Sequence, residues 1–352
     1  MLYELYDTEI APVFASLLFG GVLGLAFGIA AQVSRFCLRR GLVGETRERR
    51  AALGVWVTAL LVALVGTQLA AVAGYVDLSD HRLHANALPL LAVLLGGGLF
   101  GAGMVLTRGC VSRLTVLSAT GNLRAVICLL VFAIVAHATL KGVLAPLRVA
   151  LGTVTVDLGA ASSLAGLPGG ASFWTAALGV ALIALIYRSG ARPLHLVLAA
   201  IIGALVPLGW FGTGVFLADE FDPIPLASMS FTAPWADTLF WSVASTSIPA
   251  GFGTGLIGGV LLGGFLSAAL RRELQFASFE TSGQTLRYLA GAALMGIGGV
   301  LAGGCTVGAG LSGVGSLSVA ALLALLAIIV GAWATARLVG DQAGNAAAVP
   351  AE

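Results

Sequence analysis

The chain alternates between long apolar stretches and short polar turns that carry most of its charge. Nine stretches, near 12–33, 51–76, 88–106, 125–145, 173–187, 194–217, 247–270, 285–302 and 317–338, are rich in Leu, Val, Ala, Gly and Phe. A helix of about 17–25 such residues crosses a hydrocarbon core of roughly 30 Å. In lipid every backbone N–H and C=O has to be bonded within the protein, and a helix does this segment by segment. The pattern therefore predicts an all-α polytopic membrane protein with about nine transmembrane helices, the fifth being the shortest. Composition agrees: 59% of the 352 residues are hydrophobic and 10% are charged. That balance does not describe a soluble surface, and it excludes a nucleic-acid-binding module.

The placement of charge predicts an orientation, because Lys and Arg collect in cytoplasmic loops. Arg35, Arg39, Arg40, Arg47, Arg49 and Arg50 crowd the turn after the first stretch, whereas Asp77 and Asp80 follow the second. Alternating from there puts Arg188, Arg192, Arg271, Arg272 and Arg287 inside. It puts an acidic loop with Asp219, Glu220, Asp222 and Asp237 outside. The N-terminus is expected outside and the C-terminus in the cytoplasm of a bacterial inner membrane. The acidic opening M1-L-Y-E-L-Y-D-T-E-I10 lacks the basic start of a signal peptide, so the first stretch is read as retained.

No polar linker divides the chain, which reads as one membrane domain over 1–352. Within it the phrase G101-A-G-M-V-L-T-R-G-C110 returns as G296-I-G-G-V-L-A-G-G-C305. Gly101, Gly103 and Gly109 align with Gly296, Gly298 and Gly304. A second phrase follows each cysteine, L117-S-A-T-G-N-L123 and L311-S-G-V-G-S-L317, one residue sooner in the second copy. A weaker echo links G20-G-V-L-G24 with G258-G-V-L-L-G263. These similarities suggest two pseudo-symmetric halves, 1–150 and 173–342, with a connector at 151–172 and a tail at 343–352. On the predicted orientation the stretches before the two cysteines run in opposite directions, so their glycine-rich loops enter from opposite faces. That is the arrangement of inverted-repeat transporters, whose broken helices meet near the bilayer midplane.

Small residues also let helices approach closely, and packing alone accounts for any single glycine. It does not account for paired cysteines. Breaks between half-helices direct backbone N–H groups toward the gap, which suits an anion, and neither break holds a carboxylate. The chain has four cysteines, Cys37, Cys110, Cys128 and Cys305, and no C-x-x-C pair. Its histidines, at 81, 84, 137 and 195, offer no metal-ligand spacing, so neither a metal nor a cofactor is expected. Cys128, inside I127-C-L-L, reads as an inert core thiol. Cys110 and Cys305 each follow a glycine at a break, and Cys37 lies at the inner end of the first stretch. A thiol at its ordinary pKa of about 8.5 is a neutral donor at pH 7, and S–H is a weak, soft partner suited to an anion bearing sulfur. Gly109, Gly304, Thr306 and Gly308 frame these thiols. Ser118, Asn122 and Ser312 are further candidates for polar lining, with helix capping as the plainer reading of Ser118 and Ser312.

The phrase L294-M-G-I-G-G-V-L-A-G-G-C-T-V-G-A-G-L311 and its partner G98-L-F-G-A-G-M-V-L-T-R-G-C110 closely resemble the YeeE/YedE family of bacterial membrane proteins. The resemblance spans nearly the whole chain. It implies a two-halved helical fold, uptake of thiosulfate without enzymatic chemistry, and three functional cysteines on the ion path, which fall on Cys37, Cys110 and Cys305. It also implies a small TusA-like sulfur carrier as cytoplasmic partner. The first loop departs from the commoner G-A-G-C-T-x-G form: it reads T107-R-G-C-V-S-R113, which opens the substrate to other sulfur or selenium species. Arg108 and Arg113 read either as surface anchors or as anion ligands. A membrane sulfurtransferase carrying a cysteine persulfide is the alternative of another class.

Overall fold

The computed structural model describes residues 11–339, apart from Asp80, Glu220 and the side chain of Arg47. The predicted outer N-terminus and the tail at 343–352 lie outside the described residues. The fold is almost wholly helical. Its long helices are α1 (Pro12–Ser34), α3 (Thr46–Val72), α4 (Leu90–Leu106), α6 (Leu123–Lys141), α8 (Gly170–Tyr187), α9 (Pro193–Phe211), α11 (Phe252–Leu270), α12 (Ser282–Leu301) and α13 (Val319–Leu338). Each occupies one of the nine predicted stretches. Among the described residues, eight helical stretches are long and apolar enough to cross a membrane, and the chain is a multi-pass membrane protein. The ninth, α12, opens on the polar run S282-G-Q-T-L-R287, which lowers its apolar content.

Short helices fill the spaces between: α2 (Leu38–Val43), α5 (Val111–Ala119), α7 (Ala145–Gly152) and α10 (Thr232–Val243). Asp237 therefore sits on a helix and not in a loop. Strands β1 (Ala87–Leu88) and β2 (Val156–Asp157) pair antiparallel and tie residues before α4 to the 151–172 segment. Leu164 N–H, in the same segment, donates to Leu317 O.

Glycine decides how closely the long helices approach. On α1, Gly20, Gly24 and Gly28 repeat every four residues, and on α11 Gly255, Gly259 and Gly263 do the same. The two stripes face each other with the helices parallel: a Cβ at Gly24 would stand 2.2 Å from Leu256 O, and one at Gly259 would stand 2.1 Å from Gly21 O. Helices in lipid lack a hydrophobic drive to associate, so contact at backbone distance supplies the attraction. In the same way α4 lies between α12 and α13. Gly96 sits against Ala302 and Gly103 against Gly291, so α4 and α12 are antiparallel; Gly97 meets Ala324 and Gly101 meets Ile328, so α4 and α13 are parallel.

Outside this centre, α3 and α9 pack together, with Gly203 against Ala59 and Gly66 against Pro207. The short α8 leans on α3 at the periphery and buries only Gly179. Outward faces carry Leu18, Val22, Leu69, Val180, Ile183 and Val330, the surface expected toward acyl chains. Inside, Phe27, Phe36, Phe100, Phe132 and Phe231 are fully or almost fully buried. Phe27 packs edge-on against Phe36 and tilts onto Phe231, with ring centres 6.1 Å and 5.1 Å away.

Gly24→Ala and Gly259→Ala should each destabilise the protein by about 1–3 kcal/mol, the usual cost of overpacking. Gly258→Ala, whose added carbon meets nothing within 4 Å, should leave stability near that of the parent. Thermal unfolding in detergent measures the difference; equal midpoints for all three variants would contradict the seam.

Candidate functional site

Three helices end on the same backbone device. α1 stops at Arg35 (φ 52°), α4 stops just before Arg108 (φ 57°) and α12 just before Gly303 (φ 75°). In each case one residue follows in the turn and the next is a cysteine: Cys37, Cys110 and Cys305. A left-handed residue turns the chain back and lets the last helical carbonyls find donors. At α1, Phe36 N–H returns to Ala31 O at 3.1 Å. The closures of α4 and α12 match bond for bond: Thr107 N–H to Gly103 O and Arg108 N–H to Val105 O, against Ala302 N–H to Gly298 O and Gly303 N–H to Val300 O. A fourth such turn ends α11 at Arg272 (φ 58°), but Leu274 stands at the position of the cysteine.

The turns carry the three thiols into the protein interior. Cys37, Cys110 and Cys305 are 3%, 1% and 0% exposed, and none is in a disulfide. The thiols of Cys37 and Cys110 lie close enough to influence each other, with the backbone N–H groups of Arg40 and Cys110 also near the Cys37 sulfur. Cys110 Sγ lies 3.3 Å from Ser112 Oγ, and the Thr306 hydroxyl, next in sequence to Cys305, is near enough to influence it. Cys305 Sγ accepts from Gly308 N–H at 3.4 Å. Two loops arriving on antiparallel helices thus meet through Thr306 and Cys110.

The other sequence-selected residues divide. Gly304 and Gly308 are sterically required, since an added Cβ would stand 2.7 Å from Ala309 N and 2.7 Å from Ser230 Oγ. Gly109 has ordinary room for one; its carbonyl accepts from Thr107 Oγ1 at 2.9 Å. Ser312 is buried and donates to Met229 O at 2.7 Å, fastening the second loop to the 228–231 segment. Ser118 donates to Thr115 O within its own helix, and Asn122 caps α6 through Ala125 N–H. Cys128 packs in the core and donates toward Tyr288 O at 3.8 Å.

The two post-cysteine loops differ by one residue, in the direction opposite to the sequence alignment. The left-handed residue and helix cap that launch α6 are Gly121 and Asn122; those that launch α13 are Leu317 and Ser318. Counted from the cysteine, the second copy is one residue longer. The surplus is held in a π-helical turn at Gly308–Gly313, where Gly310 N–H reaches back to Cys305 O and Ser312 N–H to Val307 O.

Charge is segregated by end. Arg35, Arg39, Arg40, Arg108, Arg113, Arg271 and Arg287 cluster around the mouth beside Cys37 and Cys110. At the far end of α4 a cavity of about 240 Å³ opens beside Gly303 and Ala309, with Arg82 and Arg148 in its wall. His81 stands near that end with its ring edge-on to Trp210, and burial pushes it down to about 4, so it is neutral at pH 7. Among the described residues, no cluster of His, Cys, Asp and Glu could hold a metal.

A family model described as sulphur transport matches residues 33–334, a span that contains all three converging cysteines. The chain belongs to the sulphur-transport family, the YeeE/YedE proteins. Two relatives run nearly its full length. The thiosulfate transporter TsuA of Escherichia coli K12 is 24% identical over 93% of this chain and 96% of its own length. The thiosulfate transporter TsuA of Spirochaeta thermophila is 27% identical over 90% and 97%.

Within this sulphur-transport protein, further polar residues stand close to the site. Ser112 and Thr306 reach Cys110, and Trp235 Nε1 donates to Thr115 Oγ1 at 2.8 Å from α10. Thr306 stands inside the second glycine-cysteine phrase and is selected with it, whereas Ser112 and Trp235 are brought in only by the fold.

Two outcomes follow from this geometry. In a variant keeping only Cys37 and Cys110, mild oxidation or a short bifunctional thiol reagent should join the two intramolecularly; mass spectrometry showing both thiols still separately alkylated would contradict their contact. Arg108→Gly should raise the unfolding midpoint, by about 1 kcal/mol of relieved left-handed strain, and Gly303→Ala should lower it by a similar amount. Midpoints moving the other way would contradict the shared turn.

Proposed function

We propose that this protein imports thiosulfate, or a closely related sulfur anion, across the bacterial inner membrane. The observation that carries the reading is the convergence of Cys37, Cys110 and Cys305, brought by three helix ends into one buried cluster, in a chain of the sulphur-transport family. The two full-length relatives named as thiosulfate transporters support the substrate class. In this reading the basic end faces the cytoplasm, as the distribution of arginine suggests, so the N-terminus lies outside and the C-terminal tail inside.

The anion enters by the cavity beside Arg82 and Arg148 and loses its water gradually to the N–H groups of the Cys305 loop. It then passes from Cys305 and Thr306 to Cys110 and Cys37. Neutral S–H and O–H donors suit this task better than buried cations. A guanidinium at the centre would hold a divalent anion too firmly to release it, whereas a series of weak sites lets it move on. No bond to sulfur is made or broken, and the ion leaves intact. The likeness of the two breaks and of their closing turns supports a fold of two inverted halves that alternate access around the thiols. A small TusA-like carrier would dock at the basic end, on the side where the intact ion is released.

Cells expressing this chain should accumulate labelled thiosulfate. Cys110→Ala and Cys305→Ala should each reduce uptake at least tenfold while inserting normally, and Cys128→Ala should retain it. Full uptake in either of the first two variants would contradict the relay. A sulfur atom retained on Cys37 or Cys110, seen as a mass gain during turnover, would favour persulfide chemistry instead.

A further inference from the structure

An indole N–H can only donate, and when it is buried the fold normally supplies it with an oxygen. Trp235 shows the ordinary case, with Nε1 donating to Thr115 Oγ1 at 2.8 Å. Trp56 departs from it. Its side chain is 3% exposed, yet Nε1 has no hydrogen-bond partner. Trp174 and Trp210 also leave Nε1 unpaired, but Trp174 is half-buried on the peripheral α8, and Trp210 has its ring edge-on to His81. A buried donor without a partner is costly, and a fold that keeps one does so for a reason.

The surroundings of Trp56 supply that reason. Leu53, Trp56 and Ala63 share one face of α3, and that face runs along the elements that carry the thiols. Leu53 lies against α2, the short helix that begins directly after Cys37: a Cβ at Gly41 would stand 2.9 Å from Leu53 Cα. One turn on, a Cβ at Gly310 would stand 3.0 Å from Cζ2 of Trp56 and 3.4 Å from Cη2. Two turns further, a Cβ at Gly315 would stand 3.2 Å from Ala63 O, and Gln68 Nε2 donates to Gly315 O at 3.0 Å. Gly310 belongs to the Cys305 loop, and its N–H returns to Cys305 O at 3.4 Å. Cζ2 and Nε1 are both bonded to Cε2, so the edge of the indole that meets this loop is the edge that carries the unpaired N–H.

We propose that Trp56 is a substrate-contacting residue, its Nε1–H donating to an oxygen of the sulfur anion at the Cys305 loop while the thiols take the sulfur. The assignment rests on the transport reading and deepens it. The loop sequence T306-V-G-A-G310 holds no cation, so the donors available there are backbone N–H groups, one hydroxyl and the thiol. An indole N–H adds a donor that is neutral, like S–H, but bonds oxygen more strongly. It carries no full charge that would hold a dianion against release. Thiosulfate has an oxygen end and a sulfur end. With an N–H donor on α3 and soft thiols at the breaks, the ion is held in one orientation. The acceptor that completes Trp56 arrives with the substrate and leaves with it.

The test is NMR of the purified full-length protein, its tryptophan indole groups isotope-labelled on nitrogen, alongside equilibrium binding of thiosulfate and uptake by the same variants in proteoliposomes. Trp56→Phe keeps an aromatic ring and loses the N–H, so the resonance missing from its spectrum is that of Trp56. Thiosulfate should move this resonance to lower field in the parent, as a hydrogen bond forms, and leave that of Trp174 in place. Trp56→Phe should weaken thiosulfate binding about tenfold or more. Trp174→Phe, which removes an unpaired N–H from the periphery, should bind as the parent does. Unfolding midpoints identify a variant that has failed to fold, and the parent's own resonance is read without one. In a protein that transports thiosulfate, an unmoved Trp56 resonance overturns the assignment whatever the affinity of the variant, and so does undiminished affinity in folded Trp56→Phe. If the parent neither binds nor transports thiosulfate, the transport reading itself fails.

Discussion

A helix broken inside an apolar medium has to find partners for its own terminal backbone groups, and the site is built on the way this chain does so. Arg35, Arg108 and Gly303 adopt the left-handed conformation, the carbonyls behind them are closed by the returning N–H groups, and the chain is sent back into the protein two residues before a cysteine. The turn is both the cap and the device that aims the thiol. Leu274 shows that the two are separable, since the same closure after Arg272 delivers an apolar side chain and no chemistry.

That device works only if the helices carrying it are held at close range. The glycine stripes of α1 with α11, and of α4 with α12 and α13, bring backbones together where a methyl group would collide with a carbonyl. Glycine therefore serves two ends: it permits the approach along the helices and, at Gly303, Gly304 and Gly308, the folding of the loop itself. Around this neutral centre, charge is kept to the two mouths. Arg82 and Arg148 border one and a larger arginine group borders the other, so a dianion would see attraction at the ends and soft neutral donors between them.

Much of this was legible in the sequence. Length and apolarity place all nine long helices within a few residues, because hydrocarbon thickness leaves little freedom in the length of a span. The glycine-cysteine phrases single out the breaks, and three of the four cysteines do come together. What the sequence conceals follows from backbone geometry and tertiary contact. A π-helical turn stores an extra residue without disturbing the apolar pattern, so aligning L117-S-A-T-G-N-L123 with L311-S-G-V-G-S-L317 reverses the sense of the gap. Helix α10 is short, amphipathic and led by Pro234 and Asp237, and it reads as loop until α6 and α11 supply the surface it packs on. Asn122, a candidate for the polar lining, caps α6 through Ala125 N–H, whereas Ser112, which no glycine-cysteine phrase marks, comes to Cys110 through the fold alone.

The central claim is that the three buried cysteines are stations on one anion path. An experimental structure of the protein with selenosulfate, whose selenium scatters anomalously, tests this most directly. The account predicts selenium peaks beside Cys305 and Thr306 or between Cys110 and Cys37, with the anion intact and unbonded. Ordered anion found only away from these thiols, or selenium joined covalently to one of them, would contradict it.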